Sequence, residues 1–185
     1  MLGRLPDDDR RGIADRIAAP VACDFVCRSS PGGPRGIAEE DVISTVRIAL
    51  ANIRIPTTPD DSVHLATAAV GDAGRQGAAV ICFPECFIPG YRWPGHLAPP
   101  PDPAFLDRAR ATVAEAARLA GVAVILGMER VTDRGLQISV CVINSDGILA
   151  GWQDKGQVDP SEEGIYPALG SERRLFVDAV AIGKR

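Results

Sequence analysis

The sequence predicts an α/β domain built on a layered sheet. Short apolar runs that are partly β-branched alternate with two amphipathic segments of helical period, a pattern typical of strands connected by helices. After this alternation the chain continues as a meander of strands with hairpin turn chemistry. With 185 residues, 46% of them apolar, the chain is long enough for one sizeable core.

The first elements predicted are a strand, a helix and a second strand. Residues 46–51 (VRIALA) have the composition of a strand. A helix is predicted from Asp60 or Asp61, either of which offers a capping carboxylate, to about Gln76. Residues 78–82 (AAVIC) are apolar and closed by a proline, which predicts a buried strand.

A second helix is predicted after a Pro-rich loop. The loop spans residues 94–103, and the helix spans residues 104–120. One face of this helix is apolar and consists of Leu106, Ala109, Val113, Ala116 and Ala117. We expect Gly121 to end it.

The rest of the chain is predicted to form strands. Residues 122–127 and 137–144 are apolar runs of strand length, and the SDG sequence that follows supplies turn chemistry. The next strand, residues 148–152, leads directly into Lys155. Two more short strands are predicted at residues 175–178 and 180–183.

The amino-terminal segment is predicted to be an extension outside the domain. Residues 1–44 carry charge clusters and a turn-rich SSPGGP tract without sustained apolar periodicity. We therefore expect a loosely ordered extension there, with the domain spanning residues 46–185.

Charge and composition exclude several classes of protein. The net charge of −4 and the pI near 5.2 give no basic footprint, so we expect neither nucleic acid nor membrane as a partner. No apolar run approaches the roughly 20 residues of a membrane-spanning helix, and the charged start is unlike a signal peptide. These features predict a cytoplasmic protein.

The cysteines predict reduced thiols, not a disulfide framework. There are five, an odd number, and Cys82, Cys86 and Cys141 lie in or beside apolar runs. Cys23 and Cys27 form a C-x3-C pair without a second pair. We therefore predict no metal site.

Two ionisable residues of opposite charge, Glu85 and Lys155, each follow a predicted strand. If those strands are neighbours in the sheet, the carboxylate and the ammonium converge at one sheet edge, where α/β enzymes place their chemistry. Such a pair supplies a base and a cation for a developing oxyanion. The alternative is a structural ion pair, or two unrelated surface charges. Of the 20 basic residues only Lys155 and Lys184 are lysine, so Lys155 stands where arginine is the rule.

Other candidate residues lie in two loops beside this pair. Glu162 and Glu163 belong to a Pro- and Gly-rich loop that could fold back over the site. Tyr91, Trp93 and His96 lie after Glu85, where they could line a substrate pocket. The alternative is that the aromatic side chains serve packing alone.

Three blocks of the sequence resemble the nitrilase superfamily of carbon–nitrogen hydrolases. The blocks are FPECFIPGY at residues 83–91, GWQDK at residues 151–155 and EGIYP at residues 163–167. Together the resemblance covers about residues 46–183. It implies an α-β-β-α sandwich, a homo-oligomer when the domain is complete, hydrolysis of a nitrile or an amide, and no cofactor.

The same resemblance assigns roles to residues of this chain. It implies that Glu85 is the general base, that Lys155 stabilises the tetrahedral charge, and that Glu163, in preference to Glu162, is the second glutamate. Tyr91, Trp93 and His96 are candidates for substrate contact from their position in the loop after Glu85, and not from the resemblance.

The family's nucleophile is a cysteine, expected a few residues after a strand like VAIG. Here Gly183 is followed by Lys184 and Arg185, where the sequence ends. We therefore expect a carboxy-terminally truncated sandwich that is inactive as this chain. A non-catalytic remnant that binds small molecules or pairs subunits, and the product of a disrupted reading frame, remain alternatives.

Overall fold

The computed structural model describes residues 21–27, 44–92 and 99–173. In chain order the elements are β1 (Val21–Cys27), β2 (Ser44–Leu50), α1 (Pro59–Arg75), β3 (Val80–Cys82), α2 (Pro103–Ala120), β4 (Ala123–Thr132), β5 (Gly135–Ile143) and β6 (Leu149–Asp154). In this part of the chain all the strands belong to one sheet, whose spatial order follows the sequence from β1 to β6.

Strand direction explains why two distant loops meet at one edge of the sheet. β2, β3 and β4 are parallel neighbours, and the crossovers between them carry α1 and α2. β5 pairs antiparallel with β4, and β6 pairs antiparallel with β5, so β6 runs in the same direction as β3 and β4. The carboxyl ends of β3 and β6 therefore lie at the same edge.

The helix ends follow their capping chemistry. Thr58, and not the predicted Asp60 or Asp61, caps α1, since its side chain accepts a hydrogen bond from the Asp61 N–H at 3.1 Å. Asp102 caps α2 in the same way, accepting from the Phe105 N–H at 3.1 Å. Gly121 ends α2 in the left-handed conformation with φ of 66°, as predicted.

The main core lies between the two helices and one face of the sheet. Its residues come from α1, α2 and alternate positions of the strands, among them Leu65, Val70, Ile81, Val113, Val124, Leu126, Cys141 and Ile143. A smaller cluster of Cys86, Ile138 and Tyr166 is separate from this core. Ile138 and Cys141 are three positions apart on β5, so they face opposite sides of the sheet. The smaller cluster thus lies on the face away from the helices.

The predicted α/β class is confirmed, and the elements from β2 to β6 correspond to predicted ones. β1 was not predicted from the sequence, and it pairs antiparallel with β2 along its seven residues. The rest of the predicted extension, residues 1–20 and 28–43, and the predicted strands at 175–178 and 180–183 lie outside the described residues. Neither α1 nor α2 has a stretch long and apolar enough to cross a bilayer.

Candidate active site

The backbone that carries Glu85 lies tightly against β4. The Phe83 N–H donates to the Ile125 carbonyl at 2.9 Å, which continues the β3–β4 pairing past the end of β3. A Cβ atom at Gly127 would lie 2.0 Å from the Pro84 carbonyl oxygen and 2.9 Å from the Glu85 Cα. A glycine is therefore needed at position 127 to let the Glu85 backbone approach β4 this closely.

The loop after Glu85 then follows β4 in parallel. Ile88 forms an isolated bridge to Met128, with the Ile88 N–H donating to the Gly127 carbonyl at 3.2 Å. The Glu129 N–H in turn donates to the Ile88 carbonyl at 2.9 Å. These bonds carry Tyr91 and Arg92 toward the far end of β4.

Lys155 begins a second loop, directly after β6. Its N–H donates to the Ile138 carbonyl at 2.8 Å, and its carbonyl accepts from the Gly170 N–H at 2.9 Å. A Cβ atom at Gly170 would lie 2.6 Å from the Asp154 carbonyl oxygen, so this end of the loop packs closely on β6. The backbone of Lys155 is held from both sides.

The Lys155 ammonium contacts two carboxylates, one from each loop. Its Nζ donates to Glu85 Oε1 at 3.0 Å and to Glu162 Oε2 at 2.9 Å, with Glu162 Oε1 at 3.2 Å. Burial lowers the pKa of Lys155, but the hydrogen bonds and charges of Glu162 and Glu85 outweigh it and raise the pKa above its ordinary value. The predicted convergence of Glu85 and Lys155 is present.

Glu162 is the buried member of this cluster, with 3% of its surface exposed. Besides Lys155, the Tyr91 hydroxyl donates to Glu162 Oε1, and the Asp159 N–H donates to Glu162 Oε2 at 2.7 Å. Burial raises the pKa of Glu162, but these donors, with Tyr91 foremost, outweigh it and hold the pKa below its ordinary value. The same hydrogen bond, with burial, raises the pKa of Tyr91 to about 12.

The remaining predicted site residues have different outcomes. Glu163 is exposed, and it is its neighbour Glu162 that contacts Lys155. Tyr91 lies in the cluster through its bond to Glu162. Trp93 and His96 lie outside the described residues.

A second buried carboxylate, Glu129 at the far end of β4, was not anticipated. It is fully buried and accepts from Arg92 Nε at 2.6 Å and from Arg92 Nη2 at 3.0 Å. The Tyr166 hydroxyl donates to Glu129 Oε1 at 2.9 Å. Nothing local marks Glu129 in the sequence except an acid at the end of an apolar run.

The described cysteines of this region are buried thiols. Burial raises the pKa of Cys86 to about 12, against the lowering effect of a hydrogen bond with Tyr166. Burial also raises the pKa of Cys141 to about 12 and raises that of the half-buried Cys82. Within the described ranges, no group of three His, Cys, Asp or Glu side chains is arranged to hold a metal ion.

Comparison with known protein families identifies the fold and the family. The model of the carbon-nitrogen hydrolase family matches residues 47–175, which include Glu85, Lys155 and Glu162. The chain belongs to the carbon-nitrogen hydrolase family. The suspected resemblance to the nitrilase superfamily is thereby confirmed.

Individual relatives agree with this family. A nitrilase from Penicillium rubens is 32% identical over 116 residues, which cover 55% of this chain and 35% of the nitrilase. The crystal structure of an amidase from Nesterenkonia sp. superposes with a TM-score of 0.60 at 25% identity, covering 70% of this chain and 49% of the amidase. A C145S mutant of this amidase, described as a member of the nitrilase superfamily, superposes with a TM-score of 0.59 at 25% identity, over 69% of this chain and 49% of that one.

The carbon-nitrogen hydrolase chain thus has the predicted nitrilase-type α/β fold. It spans about a third of the length of the Penicillium nitrilase and about half the length of the Nesterenkonia amidase.

Proposed function

We propose that this chain carries the base and the cation of a site that hydrolyses a nitrile or a small amide through a cysteine thiolate. The observation that carries the proposal is the Lys155 Nζ, which lies 3.0 Å from Glu85 Oε1 and 2.9 Å from Glu162 Oε2. An ammonium held between two carboxylates stays charged. It can therefore stabilise negative charge that develops on a substrate nitrogen or oxygen.

The carboxylates of Glu85 and Glu162 differ in solvent exposure, and this difference indicates different roles. The Glu85 side chain is 45% exposed, whereas that of Glu162 is 4% exposed and already accepts from Tyr91 and Asp159. Glu85 is the carboxylate that a nucleophile can reach, so it acts as the general base. Glu162 holds Lys155 in place and takes the role that the resemblance gave to Glu163.

The substrate class follows from the charge of the site and from the relatives. A nitrile and an amide both develop negative charge on a heteroatom when a thiolate attacks the carbon, and Lys155 suits either. A mutant of the Nesterenkonia amidase is described in complex with butyramide. Small aliphatic amides and nitriles are therefore the substrates proposed here.

Cys86 and Cys141 do not suit the role of nucleophile. Burial raises the pKa of Cys86 and of Cys141 to about 12, so both thiols stay protonated at pH 7. Both are also fully buried, so a substrate cannot reach their sulfur atoms. We therefore expect no turnover by the 185-residue chain through either of these thiols.

The test compares this chain with a chimera that supplies a cysteine. Ammonia release from butyramide, acrylamide and aliphatic nitriles is measured for the 185-residue chain and for the same chain continued by the carboxy-terminal half of the Nesterenkonia amidase. We expect no release from the first and turnover from the second. In the chimera, Glu85→Gln or Lys155→Met should lower kcat at least 10²-fold, while Glu163→Gln should leave it unchanged.

Two results would contradict the proposal. One is turnover by the 185-residue chain that is lost in Cys86→Ala or Cys141→Ala, which would make that cysteine the nucleophile. The other is a chimera that folds cooperatively, shows turnover, and keeps it in Glu85→Gln. If the chimera does not fold, the lysine titration described below tests the Glu85–Lys155–Glu162 cluster in the chain itself.

A further inference from the structure

Tyr91 and Arg92 are adjacent in sequence and bind two different buried carboxylates. The Tyr91 hydroxyl donates to Glu162 Oε1, in the loop that follows Lys155. The Arg92 guanidinium donates to both oxygens of Glu129 on β4, at 2.6 Å and 3.0 Å. Through these two adjacent residues, the loop that carries Glu85 contacts both the loop after Lys155 and the sheet.

We propose that Tyr91 is a positioning residue of the site: its hydroxyl holds one oxygen of Glu162 so that the other holds Lys155 Nζ beside Glu85. The inference rests on the proposed function, because it explains how the cation of that site is placed. It differs from the sequence-based expectation, in which Tyr91 contacts the substrate.

The donors around Glu162 come from separate parts of the chain. Tyr91 donates to Oε1, the Asp159 N–H donates to Oε2 at 2.7 Å, and Lys155 Nζ lies 2.9 Å from Oε2. Because donors reach both oxygens, rotation of the carboxylate breaks at least one hydrogen bond. Without the Tyr91 hydroxyl, Oε1 keeps only the longer 3.2 Å contact to Lys155 among the donors described here.

The Tyr91 ring is itself held in position. It packs against the cluster of Cys86, Ile138 and Tyr166 on the sheet face away from the helices. An aromatic ring with a polar tip suits this place, because the ring is partly buried while the hydroxyl reaches a carboxylate. The packing directs the hydroxyl to Glu162.

Both sides of the Tyr91–Glu162 contact are anchored to the same carboxylate on β4. Arg92 follows Tyr91 and binds Glu129, while Tyr166, four residues after Glu162, donates to Glu129 at 2.9 Å. The Arg92 N–H also lies 3.4 Å from the Tyr166 hydroxyl oxygen. Glu129 therefore ties the two loops together next to the contact.

The low number of lysines and tyrosines makes the inference testable in the chain itself. The chain has two lysines, Lys155 and Lys184, and two tyrosines, Tyr91 and Tyr166. Protein labelled with ¹³C at lysine Cε gives two signals, and the Lys155 signal can be assigned with Lys184→Arg. Its chemical shift is followed from pH 7 to pH 3 in wild type, Tyr91→Phe and the control Tyr166→Phe.

In the wild type, we expect the Lys155 Cε signal to report the protonation of Glu162, whose Oε2 lies 2.9 Å from Lys155 Nζ. In Tyr91→Phe, this acid inflection moves to higher pH, because Glu162 loses a donor that stabilises its charged form. The two Cε protons, inequivalent while Lys155 is held, should also become more nearly equivalent. Tyr166→Phe retains the ring and should change both features less than Tyr91→Phe, since its hydroxyl donates to Glu129 and not to Glu162.

The titrations of Tyr91→Phe and Tyr166→Phe can each contradict the positioning role of Tyr91. If Tyr91→Phe leaves the inflection and the proton inequivalence as in wild type, or if Tyr166→Phe changes them equally, Tyr91 has no positioning role. If the wild-type Lys155 signal shows no inflection at all, Lys155 does not contact either carboxylate, and the proposed function fails instead.

A second measurement applies if Tyr91→Phe does not fold. With Tyr166→Phe as background, the absorbance at 295 nm reports Tyr91 alone. Because Tyr91 donates to Glu162, no ionisation step is expected near pH 10, whereas adding Glu162→Gln should restore one. A step near pH 10 without Glu162→Gln would overturn the inference.

Discussion

Glu162 and Glu163 form a matched pair of neighbouring glutamates: the resemblance favours Glu163 as the second glutamate, and the structure brings Glu162 to Lys155. Glu162→Gln keeps the shape of the side chain but removes the charge that contacts Lys155. It also replaces one acceptor oxygen with an NH₂ group among donors from Tyr91, Asp159 and Lys155. Glu163→Gln makes the same chemical change on an exposed side chain.

The magnitude follows from the hydrogen bonds that are lost. A hydrogen bond to a charged group contributes about 1.5–3 kcal/mol, and glutamine retains one acceptor oxygen for the remaining donors. Lys155 is 28% exposed and keeps its contact to Glu85, which limits the loss. We expect Glu162→Gln to lower the free energy of unfolding by about 2 kcal/mol, which lowers Tm by about 4–8 °C. Glu163→Gln should stay within about 0.5 kcal/mol of wild type.

Thermal unfolding followed by circular dichroism provides the assay, and its pH dependence provides a second criterion. The pKa of Glu162 is lowered in the folded protein, so the charged form of Glu162 contributes to the free energy of unfolding above the unfolded pKa of about 4.3. This contribution is lost as pH falls through the folded pKa. The difference in the free energy of unfolding between wild type and Glu162→Gln should therefore become smaller below about pH 4. If Glu163→Gln is as destabilising as Glu162→Gln at pH 7, the reasoning is wrong.

Two further predictions concern Gly127 and the buried thiols. Gly127→Ala places a Cβ 2.0 Å from a backbone oxygen, so it should lower the free energy of unfolding measured in urea by about 3 kcal/mol. The control Gly164→Ala, whose Cβ would have nothing within 4 Å, should change it little. Equal effects of the two substitutions would show that the contact between β4 and the Glu85 backbone is not tight. At pH 7.5, iodoacetamide should modify the half-buried Cys82 before the buried Cys86, as peptide mass spectrometry would show. Faster modification of Cys86 would contradict the burial described here.

Local sequence patterns predicted the positions of Glu85 and Lys155, because each of these residues follows one predicted strand. Residues 78–82 form a short apolar run closed by a proline. β3 lies within this run, and Glu85 follows it, as predicted. Lys155 directly follows β6, as predicted. Convergence required in addition that the two strand ends share an edge, which depends on the hairpins formed by β4, β5 and β6.

The choice between Glu162 and Glu163 depends on a turn that the sequence pattern does not specify. The Glu162 N–H donates to the Asp159 carbonyl at 2.8 Å, and the Tyr166 N–H donates to the Glu162 carbonyl at 2.8 Å. These bonds set which of two adjacent carboxylates enters the interior. A one-residue shift in such a loop exchanges a buried residue for an exposed one, and the EGIYP pattern at residues 163–167 carries no information about it.

Glu129 and its partner Arg92 were missed for a different reason. They are 37 residues apart, and each is ordinary in its own surroundings: one at the end of an apolar run and the other after a tyrosine. The bridge between Ile88 and Met128 brings them together. β1 was not predicted, because an aspartate interrupts the apolar residues of Val21–Cys27 and the residues after it form a turn-rich tract.

The two buried carboxylates of this region also explain why the chain uses different cations beside them. Arg92 offers a planar fork, and it binds both oxygens of the single carboxylate of Glu129, at 2.6 Å and 3.0 Å. Lys155 offers a point charge with three donors, and it divides them between Glu85 at 3.0 Å and Glu162 at 2.9 Å, which come from different loops. A guanidinium at position 155 would favour bidentate binding to one carboxylate and would leave the other without its cation. In a chain where 20 residues are basic and two are lysine, a lysine at this position is therefore explained by geometry, because a compact charge can face both carboxylates at once.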